Sequence, residues 1–420
     1  MTATWFDGAR FGMFVHWGHS SQQGVELSWP LVGGVAALPG SANVPAERYH
    51  ATAATFSPRP GAPRDWLARA KRAGMRYAVL TSKHHDGFAL WPTKAPGGFS
   101  IADSAYRGDL VREFVDATRE AGLRVGLYFS LLDWHHPDYP PFRDEHRPYR
   151  FGRVPRPSEA QWSRFLEFQF AQLRELLGGD YGRIDLLWFD GGWERTPEEW
   201  RAKEFAALAR ELQPEILLND RLPGEGDFDT PEQFIPPHPP ARRWETCMTM
   251  NESWGYAPSD SRYKSERALV HGLCEVASRG GNLLLNVSPR ADGSLPPEQT
   301  TRLDALARWM GAHAASIHDT QPGLEPWQFY GPTTRRGDRV YLHLVMKPYE
   351  TVTVRGVPIR RVRAARVLAS GRALEFDKRC SVLDRMFNAD PLGEIAIRVP
   401  EADVDPMATV VELEIAPGPG

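Results

Sequence analysis

Five short apolar runs in this chain end in residues that can hold, polarise or attack a substrate. The first closes on His16-Trp17-Gly18-His19 and the second on Lys83-His84-His85-Asp86. The third closes on Asp133-Trp134-His135-His136, the fourth on Asp190-Gly191-Gly192-Trp193 and the fifth on Asn219-Asp220-Arg221. In a parallel α/β barrel the C-terminal ends of the strands converge on one face. The recurrence therefore predicts one cleft lined by imidazole, carboxylate, guanidinium and indole groups. Asp190 is the foremost candidate for covalent chemistry. It follows Leu186-Leu187-Trp188-Phe189 directly, and the two glycines after it leave room for a ligand. A carboxylate there, between Trp188 and Trp193, suits the nucleophile of a retaining glycosidase. Its competing role is to cap the following turn.

Such a nucleophile needs a second carboxyl as acid and base, about 5–5.5 Å away. Glu232 lies in Gly226-Asp227-Phe228-Asp229-Thr230-Pro231-Glu232, which has neither helix nor strand periodicity. A glutamate on a loop can be desolvated as substrate closes the site, which suits proton transfer. Glu245, at the start of an expected sixth strand, is the alternative. The commoner fate of either is a solvated surface position. The pairs His84-His85 and His135-His136 raise the question of a metal. Neighbours on an extended strand point to opposite sides, so one strand seldom offers both imidazoles to one ion. No His-Glu-x-x-His is present. The expectation is no metal and no cofactor, with the histidines hydrogen-bonding a hydroxylated ligand.

The elements that must position these groups are legible in outline. The apolar runs at 11–15, 77–80, 125–129, 184–189, 216–218 and 283–287 are short and nearly continuous, as in parallel strands buried on both faces. Helices lie between them. Ser158-Glu159-Ala160-Gln161 and Thr196-Pro197-Glu198-Glu199 read as capping boxes, and Gly178 and Pro214 mark the helix ends. Strands alternating with helices over residues 1–320 predict an α/β fold, a (β/α)8-like barrel that need not be perfect. From Gln321 onward, alternating runs separated by turns predict a small antiparallel β-sandwich over 321–420.

Composition narrows the function further. The 420 residues carry 50 basic and 53 acidic side chains, a formal charge of −3, which gives no reason to expect a nucleic-acid or membrane partner. Three cysteines are too few for a disulfide scaffold. Met1-Thr2-Ala3-Thr4-Trp5 shows no basic region followed by an apolar run, so the expected location is cytoplasmic. The 14 tryptophans fit either a large core or rings stacked on sugar faces.

Taken together, the motifs resemble those of the glycoside hydrolase family 29 α-L-fucosidases. The matching segments run from Arg10-Phe11-Gly12-Met13-Phe14-Val15-His16-Trp17-Gly18, through Thr81-Ser82-Lys83-His84-His85-Asp86-Gly87-Phe88, to Gly126-Leu127-Tyr128-Phe129-Ser130. They continue in Leu187-Trp188-Phe189-Asp190-Gly191, Asn219-Asp220-Arg221, Ser253-Trp254-Gly255-Tyr256 and Gly281-Asn282-Leu283-Leu284-Leu285-Asn286. The resemblance implies a retaining double displacement on fucosylated oligosaccharides or glycoconjugates, with Asp190 as nucleophile and Glu232 as acid/base. It implies that His16, His84, His85, Tyr128, Trp188 and Arg221 hold the sugar and that Trp254 shapes its pocket. It also matches Glu26 and Trp29 to a glutamate–tryptophan pair that binds the sugar, although here the two are not adjacent. The rival readings are a retaining glycosidase for another sugar, a non-catalytic fucose-binding protein and a metal-dependent hydrolase.

Overall fold

The computed structural model describes residues 4–33, 44–140, 143–148 and 156–418. Seven parallel strands form the main sheet: β1 (Phe11–Val15), β2 (Tyr77–Lys83), β3 (Arg124–Ser130), β4 (Leu186–Asp190), β5 (Leu217–Leu218), β6 (Glu245–Met248) and β7 (Asn282–Val287). They lie in the order β5-β4-β3-β2-β1-β7-β6, so the sheet curls round on itself. Residues 228–232 span the gap between β5 and β6. Asn219 pairs with Phe228 on one side; Asp229 pairs with Trp244, and Glu232 with Cys247, on the other, all parallel. The segment expected to be a loop is thus an irregular eighth stave. Its pattern is hidden because Gly226 enters it at positive φ and Pro231 has no N–H to give a ladder.

Helices Ala62–Arg72, Leu110–Glu120, Glu159–Leu177, Ala202–Leu212, Glu266–Ser278 and Pro297–His313 form in the connections. No helix stands on either side of the 228–232 stave, which is the imperfection of this barrel. The Ser158 capping box forms as expected and opens the Glu159 helix. The Thr196 box also forms, but its helix stops after Trp200. The chain turns through the left-handed region at Arg201 (φ 54°) before Ala202–Leu212 begins. No helix of the described residues is long and apolar enough to cross a membrane.

Strand alternation decides what faces the barrel interior. On β4, Leu187 and Phe189 pack outward with the helices, while Leu186 and Trp188 join the inner cluster. The same period carries Asp190 inward at the strand end. Phe14, Tyr128, Phe228, Cys247 and Leu284 belong to that inner cluster too. The register aligns them, with Tyr128 beside Trp188, Ser130 beside Asp190 and Phe14 beside Asn286. Phe6, on the N-terminal helix Thr4–Ala9, plugs the far end against Phe228 at a ring separation of 4.7 Å.

Beyond the barrel, five antiparallel strands (Gln321–Pro322, Thr333–Arg336, Arg339–Leu344, Thr409–Ile415 and Val362–Val367, in spatial order) form one sheet. Three more (Thr351–Pro358, Leu392–Arg398 and Phe376–Arg379) form a second. Leu342 and Leu413 of the first share a buried core with Val354, Ile395 and Ile397 of the second, as a sandwich requires. Trp309 ties the last barrel helix to this region by donating to the Ala408 carbonyl at 2.9 Å. A helix at Val382–Phe387, absent from the sequence expectation, interrupts the strands; six residues are too few to show periodicity.

One close approach fixes the inner layer below the site. A Cβ built on Gly12 would lie 2.4 Å from the Tyr77 ring. Gly12→Ala should therefore overpack the barrel and lower unfolding stability by about 1–3 kcal/mol in urea titrations. An unchanged midpoint would show that the Tyr77 ring is free to move aside.

Candidate active site

The C-terminal ends of the strands enclose a cavity of about 470 Å³, within the usual range for a small-molecule site. Its lining includes His16, Trp29, His84, His85, Tyr128, Trp188, Asp190, Arg221, Glu232 and Trp254. Asp190 lies at its base with a side chain only 13% exposed. Burial pushes its carboxyl pKa up. The Arg221 guanidinium, the Tyr128 hydroxyl and the Gly191 N–H pull the other way. The Tyr128 hydroxyl donates to Oδ2 at 2.8 Å, and Arg221 Nη1 sits 3.5 Å from Oδ1. Oδ1 is buried, and no described residue stands at good hydrogen-bond distance and angle to it. It keeps lone pairs available for attack.

Arg221 is the hinge of the charge arrangement. Its Nη2 donates to Glu232 Oε2 at 2.9 Å while Nη1 faces Asp190, so one guanidinium spans both carboxylates. Thr230, two residues before Glu232, fixes Arg221 by accepting from Nε at 3.0 Å and, through its carbonyl, from Nη2 at 3.1 Å. The guanidinium lies over the Trp188 ring at 5.4 Å. The stave that closes the barrel thus carries both Glu232 and the group that orients Arg221.

The hydrogen-bond inventory sets two histidine tautomers. Asn286 donates its amide to the Trp254 carbonyl at 2.8 Å, which leaves its oxygen to accept from His16 Nδ1 at 2.7 Å. The Ser130 hydroxyl donates to the Leu132 carbonyl at 2.8 Å, so His85 Nδ1 must donate to Ser130 at 2.7 Å. Both rings therefore keep Nε2 as an acceptor. His85 Nε2 is 3.6 Å from Asp190 Oδ2 and has no hydrogen-bond partner among the described residues. Burial drives the pKa of each of these two histidines down to about 3, so they are neutral at pH 7. Neutral imidazoles beside a carboxylate present acceptors, and the matching ligand is one rich in hydroxyl donors. Among the described residues no group of three His, Cys, Asp or Glu is placed to hold a metal ion.

The family model for alpha-L-fucosidase matches residues 1–315. The chain belongs to the α-L-fucosidase family. It is 32% identical to tissue alpha-L-fucosidase of Bos taurus over 339 residues, 76% of this chain and 69% of that one. Among solved structures, alpha-L-fucosidase isoenzyme 1 from Paenibacillus thiaminolyticus is 35% identical, with a TM-score of 0.85 over 99% of this chain and 98% of that one. An alpha-L-fucosidase of Bacteroides thetaiotaomicron is 27% identical, with a TM-score of 0.82 over 98% and 95% of the two chains. That enzyme was trapped as a covalent intermediate with 2-fluoro-fucosyl fluoride by means of a glutamate-to-glutamine substitution.

Of the residues assigned to nucleophile, acid/base or sugar binding from the sequence, all but Glu26 and Glu245 line the cavity. The strand-end groups His19, Asp86, Asp133, His135, His136, Asn219 and Asp220 do not: His135 stacks on Phe99 at 4.2 Å and His136 packs against Phe168, so that pair belongs to the surrounding packing. Glu26 is fully buried behind Trp254, where its carboxylate accepts from the Trp254, Gly255 and Leu27 N–H groups. Its nearest role is to fix the segment that holds Trp254. Glu245 lies inside the barrel beneath the cavity. It accepts from the Tyr77 hydroxyl and, at 3.1 Å, from Trp188 Nε1. Sequence reasoning passed over Phe14 and Cys247, which line the cavity one strand period from His16 and Glu245. Counting in twos from either would have found them. Trp193 also lines the cavity, as its place in the Asp190-Gly191-Gly192-Trp193 strand end predicts.

Burial raises the Glu245 pKa from 4.5 to about 7 despite its two donors. The folded chain then holds the proton more tightly than the unfolded chain. Unfolding free energy should fall as pH rises from about 4.5 to about 7, by up to about 3 kcal/mol from this group. Glu245→Gln should remove that part of the slope in denaturant titrations across the same window. An identical slope in the variant would mean that Glu245 is charged in the fold at the lower pH.

Proposed function

We propose that this protein hydrolyses terminal α-L-fucosides of oligosaccharides or glycoconjugates by a retaining double displacement. The observation that carries the reading is the buried Asp190 carboxylate at the base of a sugar-sized cavity, linked through Arg221 to Glu232. A fucopyranoside offers three hydroxyls and one methyl. The Nε2 acceptors of His16 and His85 suit the hydroxyls, and the rings of Phe14 and Trp254 with the Cys247 side chain give the methyl an apolar surface.

In the first step an Asp190 oxygen forms a bond to the anomeric carbon as the glycosidic bond breaks. The bonding pair leaves with the aglycone oxygen, which takes the proton of the Glu232 carboxylic acid. The product is a fucosyl ester on Asp190. In the second step the Glu232 carboxylate removes a proton from water, whose oxygen attacks the same carbon and expels Asp190. Two inversions give retention. The ring carries oxocarbenium character in both transition states. The Asp190 carboxylate, with the neutral His85 imidazole 3.6 Å from it, stabilises it. Arg221 serves by keeping Asp190 ionised against its burial.

Azide distinguishes the two carboxyl roles by stereochemistry. With an aryl α-L-fucoside, Asp190→Gly should lose more than about a thousandfold in turnover, and azide should restore aryl release as β-fucosyl azide, the product of one inversion. Glu232→Ala should keep much of its activity on the activated aryl substrate, and azide should intercept its ester as α-fucosyl azide after two inversions. A β product from the Glu232 variant would overturn its assignment. Wild type that cleaves neither aryl fucosides nor fucosylated oligosaccharides would overturn the reading as a whole.

The acid side of the pH profile reports Asp190. Its pKa is raised by burial and lowered by Arg221, and the nucleophile must be ionised. kcat/KM should therefore fall on the acid side at a pH above the ordinary carboxylate range. Arg221→Met should move that limb to still higher pH. A limb that moves down, or does not move, would show that Arg221 does not set the charge of Asp190.

A further inference from the structure

Trp193 differs from the other aromatic residues of the cavity. Phe14, Tyr128, Trp188 and Trp254 are buried and Trp29 is half-buried, whereas Trp193 lines the cavity and is 41% exposed, the most exposed of the six. It therefore stands at the mouth, with one surface toward the cavity and another toward solvent. It lies on the turn Gly192–Glu194, directly after the strand that ends in Asp190. The ring meets His85 edge-on at 5.6 Å and 85°.

The turn is held on several sides. Trp200 donates its indole N–H to the Gly192 carbonyl at 2.9 Å, and the Tyr139 hydroxyl donates to Glu194. A Cβ on Gly192 would lie 2.6 Å from the Arg221 carbonyl, so the turn is packed against the segment that carries Arg221. An indole fixed in this way loses little conformational freedom when a ligand covers it. Glu232, 39% exposed, is also at the mouth. If Glu232 protonates the glycosidic oxygen, the group attached to that oxygen leaves the cavity through the mouth that Trp193 borders.

We propose that Trp193 is the platform of a leaving-group subsite, and that its indole stacks on a pyranose ring of the saccharide from which fucose is removed. The assignment rests on the fucosidase reading and adds to it a class of aglycone: a sugar with an apolar C–H face. The indole contributes binding outside the fucose pocket and takes no part in the bond-making steps.

The test compares a leaving group too small to reach the platform with one that covers it. kcat/KM is measured on α-L-fucosyl fluoride and on a fucosylated disaccharide for wild type, Trp193→Ala and Trp193→Phe. The alanine variant should lose about fivefold to tenfold more on the disaccharide than on the fluoride. The phenylalanine variant should recover most of the loss, because it restores a flat face. Equal losses on both substrates, or no loss on the disaccharide, would overturn the subsite while leaving the fucosidase reading intact. Wild type inactive on both substrates would overturn the two together.

Discussion

A carboxylate must stay charged at the base of a cavity that favours its neutral form. Much of the rest of the site follows from that requirement. Asp190 gains reactivity from burial only if something offsets the cost of its charge. Arg221, the Tyr128 hydroxyl and the Gly191 N–H supply that offset. Each comes from a different place: the loop after β5, the interior of β3 and the turn after β4. The carboxylate therefore reaches its working state only when three elements of the barrel are in register. Trp188 connects the same parts physically, stacked on Tyr128 at 5.6 Å and lying under Arg221.

Beneath this layer lies a second one in which the electrostatic balance is reversed. Glu245 has two hydrogen-bond donors and no cation against it, and burial raises its pKa to about 7. Two carboxyl groups in one barrel, separated by the thickness of Trp188, thus meet opposite surroundings. The upper one has a guanidinium beside it, while the lower one meets only a phenol and an indole. This difference separates a group that can attack from one that holds a ring in place, and residue type alone does not show it.

Much of the fold was legible because parallel strands buried on both faces leave continuous apolar runs, and because helix ends carry capping residues. All six apolar runs became strands, and the ends of four of them bring His16, His84, His85, Asp190 and Arg221 to one cavity, whereas Asp133-Trp134-His135-His136 after the third turns away from it. The stave at 228–232 was not legible as a strand, because glycine, proline and acidic residues erase the alternation from which strands are read. Glu245 was recognised as beginning a strand, but its depth in the barrel depends on register, and register is set by neighbours far away in sequence. Glu26 shows the same limit. Its type suited a ligand contact, yet the backbone N–H groups of Trp254 and Gly255, more than 200 residues further on, had already claimed its oxygens.

The irregular stave has a consequence for how such an enzyme can diversify. Seven strands carry Asp190, the histidines and the aromatic floor in a framework of parallel ladders. The eighth position is held by isolated bridges at Phe228, Asp229 and Glu232, with Thr230 between them and no helix before or after it to constrain its length. Insertions or deletions in the stretches flanking it would alter the mouth and the setting of Glu232, and would reach Asp190 only through Arg221. The barrel therefore separates a rigid side, where the proposed attack on the sugar takes place, from a less constrained side that faces whatever the sugar is attached to. A lineage built on this plan can explore new aglycones by re-cutting one seam while the rest of the framework stays as it is.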